Sequence, residues 1–323
     1  MQATIAFKPA APTPQLASAR LRCYKPTEYL RAAGWDVREF DPGRMNEYRV
    51  VVFQKAYSEE DLQIAAHLRG LGVRTAFDLC DNHFVFADGR AERLRRMIDA
   101  VDAVSVATPE LGKLIARPAT VIDDALDDVP DSWWAEFRRR LPRRRGSPLR
   151  LIWYGNAGMT EPPFGLVDLA RLLPDLVATH ARSPITLTVV SNSRPSFDAM
   201  VGRAPFPVTY HEWDTAAFPR LFRRHHVCLI PVTINPFTVG KTVNRLALSL
   251  LLGVPAIADA IPSYDELRPF ALFGDWQRSL ERYANDADLR SQHVRMGRAY
   301  LRTKYTRQRV VEQWATFLRP LAA

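Results

Sequence analysis

No run in the sequence comes near the roughly 18 consecutive apolar residues that cross a bilayer. The first residues, MQATIAFKPAAP, lack the long apolar region of a secretory signal, which predicts a cytoplasmic protein. Cysteine is scarce: Cys23, Cys80 and Cys228 are odd in number, far apart and set in apolar or strand-like surroundings. Neither a disulfide framework nor a zinc site is indicated, and all three are expected to be reduced core residues. Also missing are a Walker A loop, a GxGxxG turn after a strand, a GxSxG elbow and an HExxH helix. Those absences weigh against NTPase, dehydrogenase, hydrolase and metalloprotease chemistry. No repeat with a period of roughly 20 to 50 residues is visible, so a solenoid is not expected.

What remains is a core-rich globular composition. The 323 residues, 47% hydrophobic and 24% charged, suffice for two domains of about 150 residues each. The formal net charge is +9, with Arg far commoner than Lys in the basic runs. A field of that sign favours nucleotide phosphates, acidic lipid headgroups or nucleic acid without choosing among them.

Strand and helix signals alternate from the start. Strands are expected over 3–7, 35–40, 49–53, 73–79, 103–107 and 119–122, helices over 19–33, 58–71 and 90–100, and a helix start at Thr108-Pro109. Ser58 reads as a helix cap with Asp61 as its acidic partner three residues on. The stretch 123–148 breaks the rhythm with Asp123, Asp124, Asp127 and Asp128, the pair Trp133 and Trp134, and RRRLPRRR from Arg138 to Arg145. It reads as a partly helical crossing between domains. Its carboxylates could hold Mg²⁺ and its arginines a membrane or nucleic acid, but a solvated linker and a solvated basic face weigh more. Alternation then resumes, with strands over 149–154, 185–190, 207–210, 228–232 and 255–258, a loop over 155–164, another over 191–194, and helices over 165–179, 215–224, 276–285, 286–301 and 306–318. This is the pattern of doubly wound parallel sheets in an α/β protein.

The most informative stretch is CLIPVTINPFTVGKTVNRLALSLLLGVPAIAD, Cys228 to Asp259. It reads as a strand, a polar loop, a helix opening near Lys241 or Thr242 and closing at Gly253, and a second strand. The helix body is apolar almost all round and should be buried. Lys241, Asn244 and Arg245 would share one face of its first turn. Cations there meet the positive end of the helix dipole at a cost of roughly 0.3–1 kcal/mol each unless an anion lies among them. A bound phosphate would supply that anion; a nearby carboxylate is the plainer alternative.

In a parallel sheet the loops after the strands form the functional edge. In the second half these carry Gly155-Asn156-Ala157-Gly158, Ser191-Asn192-Ser193-Arg194, His211-Glu212-Trp213 and Asn235-Pro236-Phe237-Thr238. The amides at Gly155 and Gly158 suit a phosphate, the Asn, Ser and Thr side chains suit sugar hydroxyls, and Trp213 offers a face to a base. Each loop alone is ordinary turn chemistry; with the basic helix start they favour a nucleotide-type ligand. In the first half Asp78 and Asp81 lie at or past a strand end, where a carboxylate or His83 could act as base or orienter. Asp81 and Asn82 merely capping the next segment is at least as good a reading. Arg20, Arg22 and Lys25 follow the first loop and could reach a ligand.

Three patterns resemble the GT-B glycosyltransferases of the large nucleotide-sugar group: VSVATPEL (Val104 to Leu111), LIWYGNAG (Leu151 to Gly158) and NPFTVGKTVNRLALSLLLGVPAIAD. The resemblance implies two Rossmann-like domains facing a cleft: an acceptor domain over 1–147, including a linker over 123–147, and a nucleotide-sugar donor domain over 148–305. A last helix, 306–323, would cross back to the first domain. It implies transfer of a sugar to a glycan, lipid-linked or small-molecule acceptor, without cofactor, metal or nucleic acid, and allows a peripheral contact of the basic surface with the inner membrane face. Lys241 and Arg245 would stabilise the departing phosphate. Gly155, Asn156, Ser191, Asn192, Glu212, Trp213, Thr238, Thr242 and Asn244 would hold the donor, Arg20, Arg22, Lys25 and His83 would lie on the acceptor side, and Asp78 or Asp81 would be the base of an inverting transfer. Where the family carries a ribose-binding glutamate, five residues before the closing glycine, this chain has Leu248. The acidic residue of the family's loop is missing around Asn235 and Pro236, and its Arg and Lys after the domain's first strand are replaced by Asn156 and Thr160. Those departures keep open a non-catalytic nucleotide or protein binding module; a nucleotide-sugar epimerase on the same double fold is the third reading.

Overall fold

The computed structural model describes residues 4–129 and 146–323; the tryptophan pair and the arginine run lie outside the described residues. The chain forms two compact units. One comprises Met1–Asp127, Val239–Thr242 and Lys304–Ala323, the other Asp128–Thr238 and Val243–Thr303.

The first unit is built on β1 (Ile5–Pro9), β2 (Val37–Glu39), β3 (Val50–Gln54), β4 (Arg74–Leu79), β5 (Ala103–Val106) and β6 (Thr120–Val121). All pairs are parallel and the order is β2-β1-β3-β4-β5-β6. Every residue of β3 is buried, as a near-continuous apolar run requires when both faces of a parallel sheet are covered. One face packs Phe53 and Phe77 against Leu68, Leu94 and Met97. The other packs Phe7 and Val52 against Val310, Trp314, Phe317 and Leu318 of the last helix, Arg307–Ala322, with the Trp314 ring edge-on to Phe7 at 5.0 Å. Helix Glu59–Gly70 starts with both bonds of the Ser58/Asp61 capping box. The first helix is not one regular rod: an α turn at Ala17–Ala19 leads into a π-helical stretch, Arg20–Tyr24, and then Lys25–Ala32. Arg22, within the π stretch, is buried.

The second unit begins with β7 (Leu149–Tyr154). The expected loop over 155–164 holds instead an antiparallel hairpin of β8 (Gly158–Thr160) and β9 (Pro163–Gly165). Glycine is required there: Gly158 and Gly165 have φ of +79° and +92°, and a Cβ on Gly158 would lie 1.8 Å from the Phe164 carbonyl oxygen. Helix Leu166–Arg182 follows, then β10 (Ile185–Ser191), a helix Arg194–Met200 capped by Ser193 that the sequence reading passed over, β11 (Val208–Glu212), β12 (Val227–Ile230), β13 (Ala256–Ala258) and β14 (Leu272–Phe273). The order is β11-β10-β7-β12-β13-β14, again all parallel. Helix Asn244–Leu252, buried from Leu246 to Leu252, ends at Gly253 with φ +88°. Its N-cap is Val243, so Lys241 and Thr242 precede the helix rather than open it.

Strand order reverses between β1 and β3 in the first unit and between β7 and β12 in the second. In open α/β sheets these reversals leave a crevice at the carboxyl ends of the strands.

Candidate functional site

At the second unit's reversal, Arg245 comes from the first turn of its helix. Its Nη2 donates to the Tyr154 carbonyl at 2.5 Å, the Tyr154 hydroxyl donates back to the Arg245 carbonyl at 2.8 Å, and the guanidinium lies 5.5 and 5.4 Å from the Trp153 and Tyr154 ring centres. The Arg245 Nε is buried with no hydrogen-bond partner, and so is the Ser191 Oγ at the end of β10. A buried polar group left in that state costs about 1–3 kcal/mol; the rest of the Arg245 side chain is partly exposed. A Cβ on Gly155 would sit 3.2 Å from the Trp153 ring and 3.6 Å from the Arg245 Nη2, so glycine keeps this corner open.

Trp213 stacks on Tyr154, rings 6.4 Å apart and 16° from parallel, and meets Phe218 at 4.6 Å. The result is an aromatic shelf beside the arginine. Asn192 accepts from the Ala157 amide at 2.8 Å, tying two edge loops together; Glu212 accepts from the Tyr210 hydroxyl at 2.6 Å; Asn156 is exposed. Thr238 takes a different part from the one expected. It is 2% exposed, donates to the Thr233 carbonyl at 2.7 Å and accepts from the Asn235 amide at 2.9 Å, closing its own loop rather than facing a donor. Two carboxylates hold that loop: Asp168, which the sequence did not announce, and Asp259, the edge-loop residue that ends the Cys228–Asp259 stretch. Asp168 accepts from the Thr233 amide and hydroxyl at 2.8 and 2.6 Å, and Asp259 from the Val232 amide and Arg171 at 2.9 and 2.7 Å.

In the first unit Asp81 lies between two ammonium groups, Lys55 at 2.7 Å and Lys241 at 2.5 Å. Burial pushes its carboxyl up, but Lys241 and Lys55 together hold it well below the usual carboxylate range. Lys241 therefore does not share a helix face with Asn244 and Arg245. The anion that meets it is a carboxylate of the chain. The segment bearing it is seated by three contacts: the Thr108 hydroxyl donates to the Gly240 carbonyl at 3.2 Å, the Thr242 hydroxyl donates to Asp124 at 2.7 Å, and Gly240 packs so close that a Cβ would be 2.8 Å from Leu111. His83 is bonded through Nδ1 to the Tyr57 hydroxyl. Burial draws its pKa down to about 4, so it is neutral at pH 7.

Two expected ligand-facing residues are withdrawn into the core. Asp78 is 0% exposed and accepts from Arg22 at 2.5 and 3.1 Å and from the Ser105 hydroxyl at 2.7 Å. Arg22 is 1% exposed and also reaches the Ile122 carbonyl and Asp124. A carboxylate without exposed surface cannot take a proton from a substrate, and the buried guanidinium cannot reach out to an acceptor. Arg20 makes two bonds to Asp127, at 2.9 and 3.0 Å, and the Lys25 ammonium lies 5.7 Å from the Tyr29 ring centre. Asp123 accepts from Arg309 and Gln313. The acidic stretch is thus not a solvated linker: Asp123 binds the last helix, and Asp124 and Asp127 bind the Arg20–Tyr24 stretch. Among the described residues no group of three or more His, Cys, Asp or Glu is placed to hold a metal, and no helix is long and apolar enough to cross a membrane. The three cysteines are free and buried, and burial pushes the Cys80 and Cys228 thiols up to about 12.

No family model and no curated protein matches the sequence. Solved structures do. HepE of Anabaena, crystallised with UDP and glucose, is 12% identical with a TM-score of 0.68 over 99% of this chain and 100% of that one. A glycosyltransferase from Rickettsia africae is 9% identical, TM-score 0.69, over 99% and 98%. A UDP-forming α,α-trehalose-phosphate synthase from Burkholderia vietnamiensis is 12% identical, TM-score 0.65, over 100% and 98%. These likenesses show the fold: two Rossmann-like parallel-sheet units of the GT-B kind.

Proposed function

We propose that the protein is a glycosyltransferase that moves a sugar from a nucleoside-diphosphate sugar, held by the second unit, to an acceptor hydroxyl presented by the first. The observation that carries this reading is the partly exposed Arg245 beside the open Gly155 corner and the Trp213–Tyr154 shelf at the strand reversal. Arg245 would meet the diphosphate, Asn192 and Asn156 the hydroxyls, and Trp213 the base, with Glu212 and Asn244 nearby; the Gly155 amide already donates to the Val190 carbonyl at 3.1 Å, and Ser191 is 1% exposed. UDP is the first nucleotide to test, because HepE was crystallised with it.

In the reaction the bond from the anomeric carbon to the diphosphate oxygen breaks and its electron pair leaves with the diphosphate. Arg245 opposes the charge that develops there, the contribution such a transfer most needs; metal independence is part of the proposal for that reason. The acceptor oxygen bonds the anomeric carbon and loses its proton. Asp81, held ionised by two lysines, is a weak base, since a general base works best with a pKa near the operating pH. Transfer with retention, in which the departing phosphate oxygen takes the proton, therefore suits this chain better than inversion.

Leu248 favours a second reading. It is 8% exposed and offers nothing to a ribose, so a nucleotide-binding module without turnover would be consistent with it. Calorimetry with UDP, GDP and ADP, followed by UDP-glucose turnover with an acceptor series, separates the two. Saturation at 100 times the dissociation constant should add about 2.7 kcal/mol to stability. UDP binding with neither transfer nor hydrolysis would leave the module; no binding by any nucleotide would remove both.

A further inference from the structure

The strand reversal of the first unit gathers lysines. Lys8 lies next to the last residue of β1, Lys55 directly follows β3, and Lys241 arrives on the Val239–Thr242 segment. Lys8 is paired with Asp61, while Lys55 and Lys241 share Asp81. Asp81 is thus one carboxylate shared by two ammonium groups. Two ammonium groups on one carboxylate are also placed to grip two oxygens of one anion. Solvent reaches them: the side chains of Lys241, Lys55 and Asp81 are 35%, 20% and 13% exposed.

The backbone points the same way. Lys55 has φ +55°, a left-handed conformation uncommon for any residue but glycine. It is kept by the Lys55 amide donating to the Asp78 carbonyl at 3.0 Å and by the ammonium on Asp81. Strain of this kind gathers where a side chain must be aimed. Beside the triad stand neutral His83 and Phe86, rings 5.5 Å apart, with the Arg90 guanidinium 3.5 Å above the Phe86 ring. Arg90 itself is tied to Asp88.

We propose that this edge binds a phosphate monoester through Lys55 and Lys241, with Asp81 as the internal counter-ion that the phosphate competes with, so that the acceptor is a phosphate-bearing sugar or lipid. Calling the ligand an acceptor rests on the transferase reading; the anion site itself does not. A phosphate brings close to two negative charges and three strong acceptor oxygens, more than the single carboxylate it would share the lysines with.

The test is calorimetry on the full chain without nucleotide. Glucose 6-phosphate, mannose 6-phosphate and glucose are titrated in turn, and sedimentation is followed with phosphatidylcholine vesicles with and without phosphatidic acid. A phosphorylated hexose should bind where glucose does not, or phosphatidic acid vesicles should bind where phosphatidylcholine alone does not; the arm that responds assigns the soluble or the lipid source. Lys241→Ala should weaken that binding roughly 10-fold or more, the usual loss with a charged hydrogen bond. Asp81→Asn, which frees both lysines, should tighten it. A purely structural triad would lose binding in both variants, and that result, or no binding of any phosphate by the parent chain, overturns the proposal. Should Asp81→Asn not fold, Lys241→Ala and Lys55→Met decide: undiminished phosphate binding in both also overturns it. Phosphate binding without UDP binding would sink the transferase reading and spare this site; the reverse would do the opposite.

Discussion

At the carboxyl ends of the first unit's strands the carboxylates are already taken, Asp78 by Arg22 and Ser105, Asp61 by Lys8, Asp81 by Lys55 and Lys241. At the same edge of the second unit, Arg245 Nε and Ser191 Oγ have no partner. An edge that satisfies itself holds its geometry when empty, and a ligand must compete for its cations. One with unsatisfied groups is less stable empty and gains when filled. Affinity should therefore come chiefly from the second unit and discrimination from the first.

The sharpest break would be Asp78→Ala. Removing Asp78 leaves the buried Arg22 charge with only the longer contact to Asp124 at 3.4 Å, and urea unfolding should show a loss of about 3 kcal/mol or more. Arg245→Ala should do the reverse of this. It should leave the first unit's phosphate binding unchanged while nucleotide affinity falls by about 1.5–3 kcal/mol, roughly 10- to 100-fold by calorimetry. Equal losses at both edges would erase the distinction.

Acid gives a milder comparison, because each unit holds one histidine drawn down to about 4 by burial, His83 and His225. A folded-state pKa below the unfolded value of about 6.5 means the unfolded chain binds the proton first. Their share of stability is full above pH 6.5 and is lost as pH falls through 4. His83→Gln and His225→Gln should each flatten the urea midpoint between those limits; an unchanged slope in either would show that its imidazole is not held neutral. The smallest effect belongs to Ser58→Ala, which removes a cap and should cost about 1 kcal/mol by thermal or urea melts.

Local rules were enough for much of the scaffold. Alternation located β7 at Leu149–Tyr154 and the helices Arg90–Ala100 and Trp276–Asn285 to the residue, and the Ser58/Asp61 spacing foretold a capping box that formed. The misses are long-range. Lys241 read as a helix-start cation because its partner Asp81 lies 160 positions away, and Asp78 read as a base because nothing near it announced Arg22, 56 positions earlier. The hairpin of β8 and β9 hid in a stretch whose glycines looked like phosphate-loop glycines. Asp168 carries no motif; only the folded loop shows what it holds. The aromatic shelf was half legible: Trp213 stood out, but Tyr154 became its partner only once β7 and β11 were in one sheet.

The first unit is assembled from both ends of the chain and a fragment of its middle. Phe7 is synthesised long before Trp314, which covers it. One face of the first sheet must therefore wait, bare, until helix Arg307–Ala322 has been made, and Asp81 must wait for Lys241. The unit whose strands are made before the other's is completed after it. A chain stopped anywhere within the second unit would be left with an open apolar sheet, not a stable half.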